Sequence, residues 1–145
     1  MSKVEDFLTP AQEQQLINAI QVAEKHTSGE IRVHIEKNTD KPPMERALEV
    51  FYMLKMDATE LKNGVLFYVA VESKKFAIIG DEGINNEVPK NFWDAEKELV
   101  LSHFSEGAFE KGLELAIVEV GKKLKHYFPY NQNDNNELSD EISKG

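Results

Sequence analysis

Apolar residues recur along the chain with two periods, and the switches between them mark out helices and strands. Thr9-Pro10-Ala11-Gln12 is a capping box with proline at the first helical position. Leu16, Ile17, Ile20 and Ala23 follow at helical spacing, and Thr27-Ser28-Gly29 stops the helix. Residues 30–37 then alternate: Ile31, Val33 and Ile35 point one way, and Glu30, Arg32, His34 and Glu36 the other. Met44, Ala47, Leu48, Phe51 and Leu54 predict a second helix over 44–56. After the turn Lys62-Asn63-Gly64, residues 65–71 are nearly all apolar, as in a strand covered on both faces. A short turn at Glu72-Ser73-Lys74 leads into a third strand over 76–79, at hairpin spacing.

Residues 80–90 read as a turn-rich acidic loop, followed by a helix with Asn91 as its N-cap and Phe92, Trp93, Leu99, Val100 and Phe104 on its apolar side. Phe109, Leu113, Ile117, Val120, Leu124 and Phe128 recur every three or four residues and give the strongest helix of the chain. The order is α-β-α-β-β-α-α. Parallel first and second strands joined by a right-handed crossover, then an antiparallel hairpin, make a three-layer α/β/α sandwich around a small mixed sheet. A single domain over 6–130 is expected, with 131–145 a flexible acidic tail.

Composition narrows the chemistry. The 145 residues carry 17 basic and 26 acidic side chains, a formal charge of −9. Such a balance opposes nucleic acid and anionic membrane surfaces and favours cations as small partners. Cysteine is absent, which removes disulfides, thiolate metal sites and cysteine nucleophiles together. With no apolar leader in residues 1–7 and no run of membrane-spanning length, the expectation is a soluble, cytoplasmic monomer.

The topology brings distant residues to one edge of the sheet. If the third strand runs against the first two, its end lies beside their starts. Glu30, Asn63, Asp81 and Glu82 then meet, with Glu87 in the overhanging loop and Asp94 in the next helix's first turn. Clustered carboxylates repel unless a cation neutralises them, and oxygen ligands on a glycine-bearing loop suit Ca²⁺ or Mg²⁺. The alternative is that Asp81 and Glu82 are solvated turn residues and Asp94 complements a helix N-terminus. Arg32 and His34, on the same strand face as Glu30, are candidate anion contacts, or polar groups of an edge strand facing water. His26, His103 and His126 stand alone and read as surface or helix-side residues. Phe92 and Trp93 read as core or cleft wall. Asp134, Asn136, Asp140 and Glu141 are loose cation ligands or simply a solvated acidic tail. No phosphate-binding glycine loop, nucleophile elbow or nucleophile–base pair is visible.

Gly29-Glu30-Ile31-Arg32-Val33-His34, Asn63-Gly64-Val65-Leu66, Ile79-Gly80-Asp81-Glu82-Gly83-Ile84, Phe92-Trp93-Asp94 and Phe128-Pro129 together resemble the TPM domain over residues 6–130. They are most similar to a short stand-alone bacterial branch, common in Bacteroidetes, whose tail resembles residues 136–143. The resemblance implies an α/β/α sandwich and a divalent-cation site, usually for Ca²⁺, in acidic loops at one sheet edge. For some members it implies acid phosphatase activity. Carried onto this chain, the site falls on Asp81 or Glu82 and on Asp94. The family's loop is closer to Gly-aromatic-Gly-Leu-Glu-Gly, so Asn85 stands where a Glu is common and weight shifts to Asp81 and Glu82. Three functions follow: a divalent-cation-binding module, a metal-dependent phosphatase, or a protein-interaction module. An exposed apolar patch near Phe92 and Trp93 would favour the last.

Overall fold

A computed structural model describes residues 8–105, 108–130, 140 and 142–144. Helix α1 spans Pro10–Glu24, strand β1 Glu30–Glu36, α2 Pro43–Met53, β2 Gly64–Ala70 and β3 Lys75–Gly80. A one-turn helix α3 (Glu82–Asn85), then α4 (Asp94–Ser105), α5 (Phe109–Leu124) and a short β4 (Ser143–Lys144) complete the order. The four strands lie in the order β3-β2-β1-β4. β1 is parallel to β2 and β4, and β2 is antiparallel to β3.

The expected capping box forms: Gln12 N–H donates to Thr9 Oγ1 at 3.1 Å, and Thr9 N–H to Gln12 Oε1 at 2.9 Å. α1, α4 and α5 pack together on one face of the sheet, over Ile31, Val33, Ile35, Val65, Phe67 and Ile78. α1 and α5 cross so closely that a Cβ on Gly121 would lie 2.7 Å from Ala23 Cα. On the opposite face α2 sets Ala47, Val50 and Phe51 against Leu66, Tyr68, Ala77 and Ile79. β2 is therefore buried along its whole length, as its apolar run predicts.

Three details depart from the sequence expectations. The acidic loop opens with α3, because Asp81 caps it by accepting from Glu82 N–H at 2.8 Å. α4 starts at Asp94 rather than after Asn91: Pro89 and Asn91 carbonyls close turns onto Phe92 and Asp94, and these turns tuck Phe92 into the core. Finally, β1 is no edge strand. Ser143 and Lys144 pair alongside it, with Ile142 buried and Lys144 bridged to Glu13 at 3.1 Å. A segment with one apolar residue among polar neighbours carries no readable period, so composition alone reads it as tail. The rest of that tail, including Asp134, Asn136 and Glu141, lies outside the described residues.

Candidate functional site

The expected convergence of strand ends is present. Glu30 N–H donates to Asn63 C=O at 3.1 Å and Asp81 N–H to Gly64 C=O at 2.9 Å, so β1, β2 and β3 meet there. Asp81 and Glu30 are buried at this edge, 8% and 4% exposed. Asp81 uses one oxygen for the α3 cap, while its Oδ2 is buried with no hydrogen-bond partner. Such an orphaned carboxylate oxygen is costly unless something cationic or protic meets it. Gly83 lets α3 press onto the preceding loop: a Cβ there would fall 2.3 Å from Leu61 O and 2.5 Å from Lys62 O. The Leu61 and Lys62 carbonyls therefore lie against α3. Glu82, Glu87 and Asp94 are exposed. Among the described residues no three carboxylates or histidines are grouped to cage an ion, so the sequence-predicted set is not assembled as a unit.

The polar face of β1 carries a different arrangement, buried rather than solvated. Glu36 takes Arg46 Nε and Nη2, each at 3.0 Å, on its two oxygens, and also accepts from the Tyr68 hydroxyl. His34 Nε2 lies 3.0 Å from Glu36 Oε1, and its Nδ1 lies 2.9 Å from Ser143 Oγ. The His34 ring stacks on Tyr68 at a centroid distance of 5.9 Å. Burial alone would raise the Glu36 carboxyl, but hydrogen bonds from Arg46, Tyr68 and His34 hold it down at about 2. Burial pushes His34 below its ordinary value against the pull of Glu36, and burial with the Glu36 contact pushes Tyr68 up.

These contacts correct two readings of β1. It is not a solvated edge, because β4 covers its second side and Glu36 is satisfied by ions and hydroxyls rather than water. Nor is His34 an anion contact, since both ring nitrogens are engaged. Arg32 remains half-buried, with Nε buried and unpartnered. Sequence reasoning missed Glu36, Arg46, Tyr68 and Ser143. One signal was visible: an acidic residue on a strand facing a neighbour otherwise wholly apolar except for one tyrosine. A second missed pair joins Glu24 to Asp140. Glu24 Oε2 accepts from Ile31 N–H at 3.1 Å, and burial followed by the Asp140 hydrogen bond pushes its carboxyl up to about 9. His103 is helix-side, its Nδ1 2.8 Å from Leu99 C=O. Phe92 is core and Trp93 lines a cleft.

The chain has known relatives. The TPM domain profile matches residues 1–131. No curated protein matches. Among solved structures, the BA42 protein of the psychrophilic bacterium Bizionia argentinensis is 50% identical over 100% of both chains, with a TM-score of 0.91. The N-terminal domain of a P. gingivalis protein is 16% identical, with 88% of this chain and 83% of that one covered and a TM-score of 0.70. The N-terminal domain of cg2496 from Corynebacterium glutamicum is 13% identical, with 95% and 80% covered and a TM-score of 0.63. The last two share the fold. Among the described residues no helix is long and apolar enough to cross a membrane.

Proposed function

The chain belongs to the TPM domain family, and on that premise we propose that it binds a divalent cation, Ca²⁺ or Mg²⁺, at the edge where β1, β2 and β3 meet. The observation that carries this reading is Asp81 Oδ2, a buried carboxylate oxygen with no hydrogen-bond partner. Glu30 shares that edge, and Glu82 flanks it from the exposed side. Hard cations accept one or two carboxylates with carbonyls and retained waters, so a closed cage of carboxylates is not required. Glu87 and Asp94 add long-range negative potential to the same end. When bound, the cation supplies neutralisation of Asp81 and a fixed positive charge at the sheet edge.

An amide NMR titration with Ca²⁺, then Mg²⁺, tests this. Saturable shifts confined to residues 28–31, 61–64 and 80–87, lost in Asp81→Asn, are expected. Asparagine keeps the α3 cap and removes the charge. Unsaturable shifts spread over surface acids would leave only counterion attraction to a −9 chain.

A second reading, a metal-dependent phosphatase, draws on Arg32, whose buried Nε has no partner and lies on the Glu30 face of β1. Arg32 would then hold the anion. p-Nitrophenyl phosphate turnover that survives repurification and falls in both Asp81→Asn and Arg32→Gln is its requirement. Turnover that purifies away removes it and leaves the binding reading standing.

A further inference from the structure

One stretch of α5 reads the same from either end. Lys111, Glu114, Leu115, Val118, Glu119 and Lys122 set lysine, glutamate and an apolar residue in mirrored order about the Ala116–Ile117 bond. Leu113, Ile117, Val120 and Leu124 turn to the core, so the mirrored residues lie on the outward side. Lys111, Leu115, Val118 and Lys122, spaced 4, 3 and 4 apart, share one face, and Glu114 and Glu119 flank it on opposite sides.

That face is one wall of a groove of about 410 Å³, and Gln15, Asn18 and Val22 of α1 make the other. Leu115 and Val22 are 43% and 42% exposed. α1 adds no charge, so the groove carries two lysines and two glutamates, neutral in sum on a chain of −9. Two such chains repel least where each presents a neutral patch. Glu114 also hydrogen-bonds the buried Glu110 one turn before it. Burial and that like-charged neighbour push the Glu110 carboxyl up to about 7, and Lys111 opposes the rise. A second cation beside Glu114 would relieve this carboxyl pair.

We propose that the α1–α5 face binds a second copy of this chain in a two-fold dimer, with the two α5 helices antiparallel. The axis passes between Ala116 and Ile117, so Leu115 of each copy meets Val118 of the other. Lys122 of the second copy then lies level with Lys111, about 4.5 Å along the helix from Glu114. Each end of the contact gathers two lysines and two glutamates, and Glu114 sits beside cations from both copies. A partner of one sign finds no match on a patch that runs plus, minus, minus, plus, whereas a second copy does. The contact is small, below about 1,200 Å², so the dimer is weak and exchanging rather than obligate. It departs from the monomer expected from the sequence. None of these residues belongs to the Asp81 corner, so the inference does not depend on the cation reading.

Sedimentation equilibrium of the full chain up to about 1 mM, in about 0.15 M salt to screen the −9 charges beyond about 8 Å, is the first test. A monomer–dimer equilibrium is expected, with concentration-dependent amide shifts confined to residues 15–22 and 110–122. Two charge-swapped chains then decide the arrangement. Lys111→Glu with Lys122→Glu makes the patch wholly acidic, and Glu114→Lys with Glu119→Lys makes it wholly basic. Each alone should dimerise at least about tenfold more weakly, and the two mixed should pair at least as well as the parent. Leu115→Lys, at an exposed position, should also weaken the parent dimer without unfolding the chain. A chain that stays monomeric at the highest concentration, shifts on another face, or folded swapped chains that gain nothing on mixing would overturn the proposal. So would a Leu115→Lys chain that dimerises as the parent does.

Discussion

The ring of His34 lies 2.9 Å from the hydroxyl of Ser143, 109 residues further along the chain. Its other nitrogen faces Glu36, a carboxylate that only accepts, so Nε2 carries the proton and Nδ1 accepts from Ser143. This fixes the tautomer and makes β4 a clasp on β1. Ser143→Ala leaves Nδ1 unpaired and should cost about 1 kcal/mol. Urea unfolding measures the loss, and long-range ¹⁵N correlations of the ring should show an unprotonated Nδ1 in the parent. A protonated Nδ1, or an unchanged midpoint in the variant, would remove the clasp.

Glu24 and Asp140 form a second hold on the same segment, and this one depends on pH. The Glu24 carboxyl is raised from 4.5 to about 9 by burial, the Asp140 hydrogen bond and the nearby charges of Asp140 and Glu30. The folded chain keeps a proton that the unfolded chain releases above 4.5. Stability from this pair is therefore complete below that pH and falls as pH rises toward 9. Glu24→Gln keeps a donor for Asp140 and an acceptor for Ile31 N–H without ionising. It should match the parent near pH 4 and gain on it steadily up to pH 9 in urea unfolding. A gap independent of pH would contradict the shared proton.

Both clasps show where the sequence stops being informative. α1, α2, α4, α5 and β1–β3 are legible because each buries a face wide enough to impose a period, as α5 does with Leu113, Ile117, Val120 and Leu124, whereas the single turn of α3 does not. The meeting of Glu30 and Asp81 follows from strand directions alone. The segment around β4 is not legible, because Ile142 is the one core residue among its described positions, while Asp140, Ser143 and Lys144 make polar pairings to Glu24, His34 and Glu13. The same holds for Glu36, whose partners Arg46 and Tyr68 come from other elements. Charge on one strand face indicates water or a partner, and only the register of neighbours decides between them.

Glu36 and Arg46 make the third prediction. The carboxylate is 6% exposed, while 28% of the Arg46 side chain is exposed, so truncating Arg46 leaves the more deeply buried charge short of its main partner. Arg46→Ala should cost about 2 kcal/mol, with Tyr68 and His34 still donating. Acid adds a sharper test. The Glu36 carboxyl is held at about 2 against an ordinary 4.5, so its stabilisation is present above 4.5 and drains away as pH falls to 2. Unfolding free energies from pH 6 to 2 should slope less steeply in Arg46→Ala than in the parent. Parallel slopes would mean that Arg46 does not set the carboxylate.

Gly83 ties the fold to the candidate cation corner. Its backbone conformation is open to any residue, so space alone is at stake. A Cβ would lie 2.3 Å from Leu61 O, 2.5 Å from Lys62 O and 3.0 Å from Lys62 C, all main-chain atoms that cannot swing aside. Gly83→Ala must lift α3 from that loop, and Asp81, whose side chain caps α3, moves with it. A loss of about 2 kcal/mol is expected from the overpacking, with amide shifts across residues 80–87. Gly29→Ala is the control: its new Cβ meets Leu124 Cδ1 at 3.2 Å, the flexible end of a side chain, and should cost under about 1 kcal/mol. If the two variants unfold at the same denaturant concentration, α3 is not pinned by those carbonyls. If Gly83→Ala destabilises yet leaves a saturable Ca²⁺ response at residues 80–87, the cation does not depend on the corner that Gly83 closes.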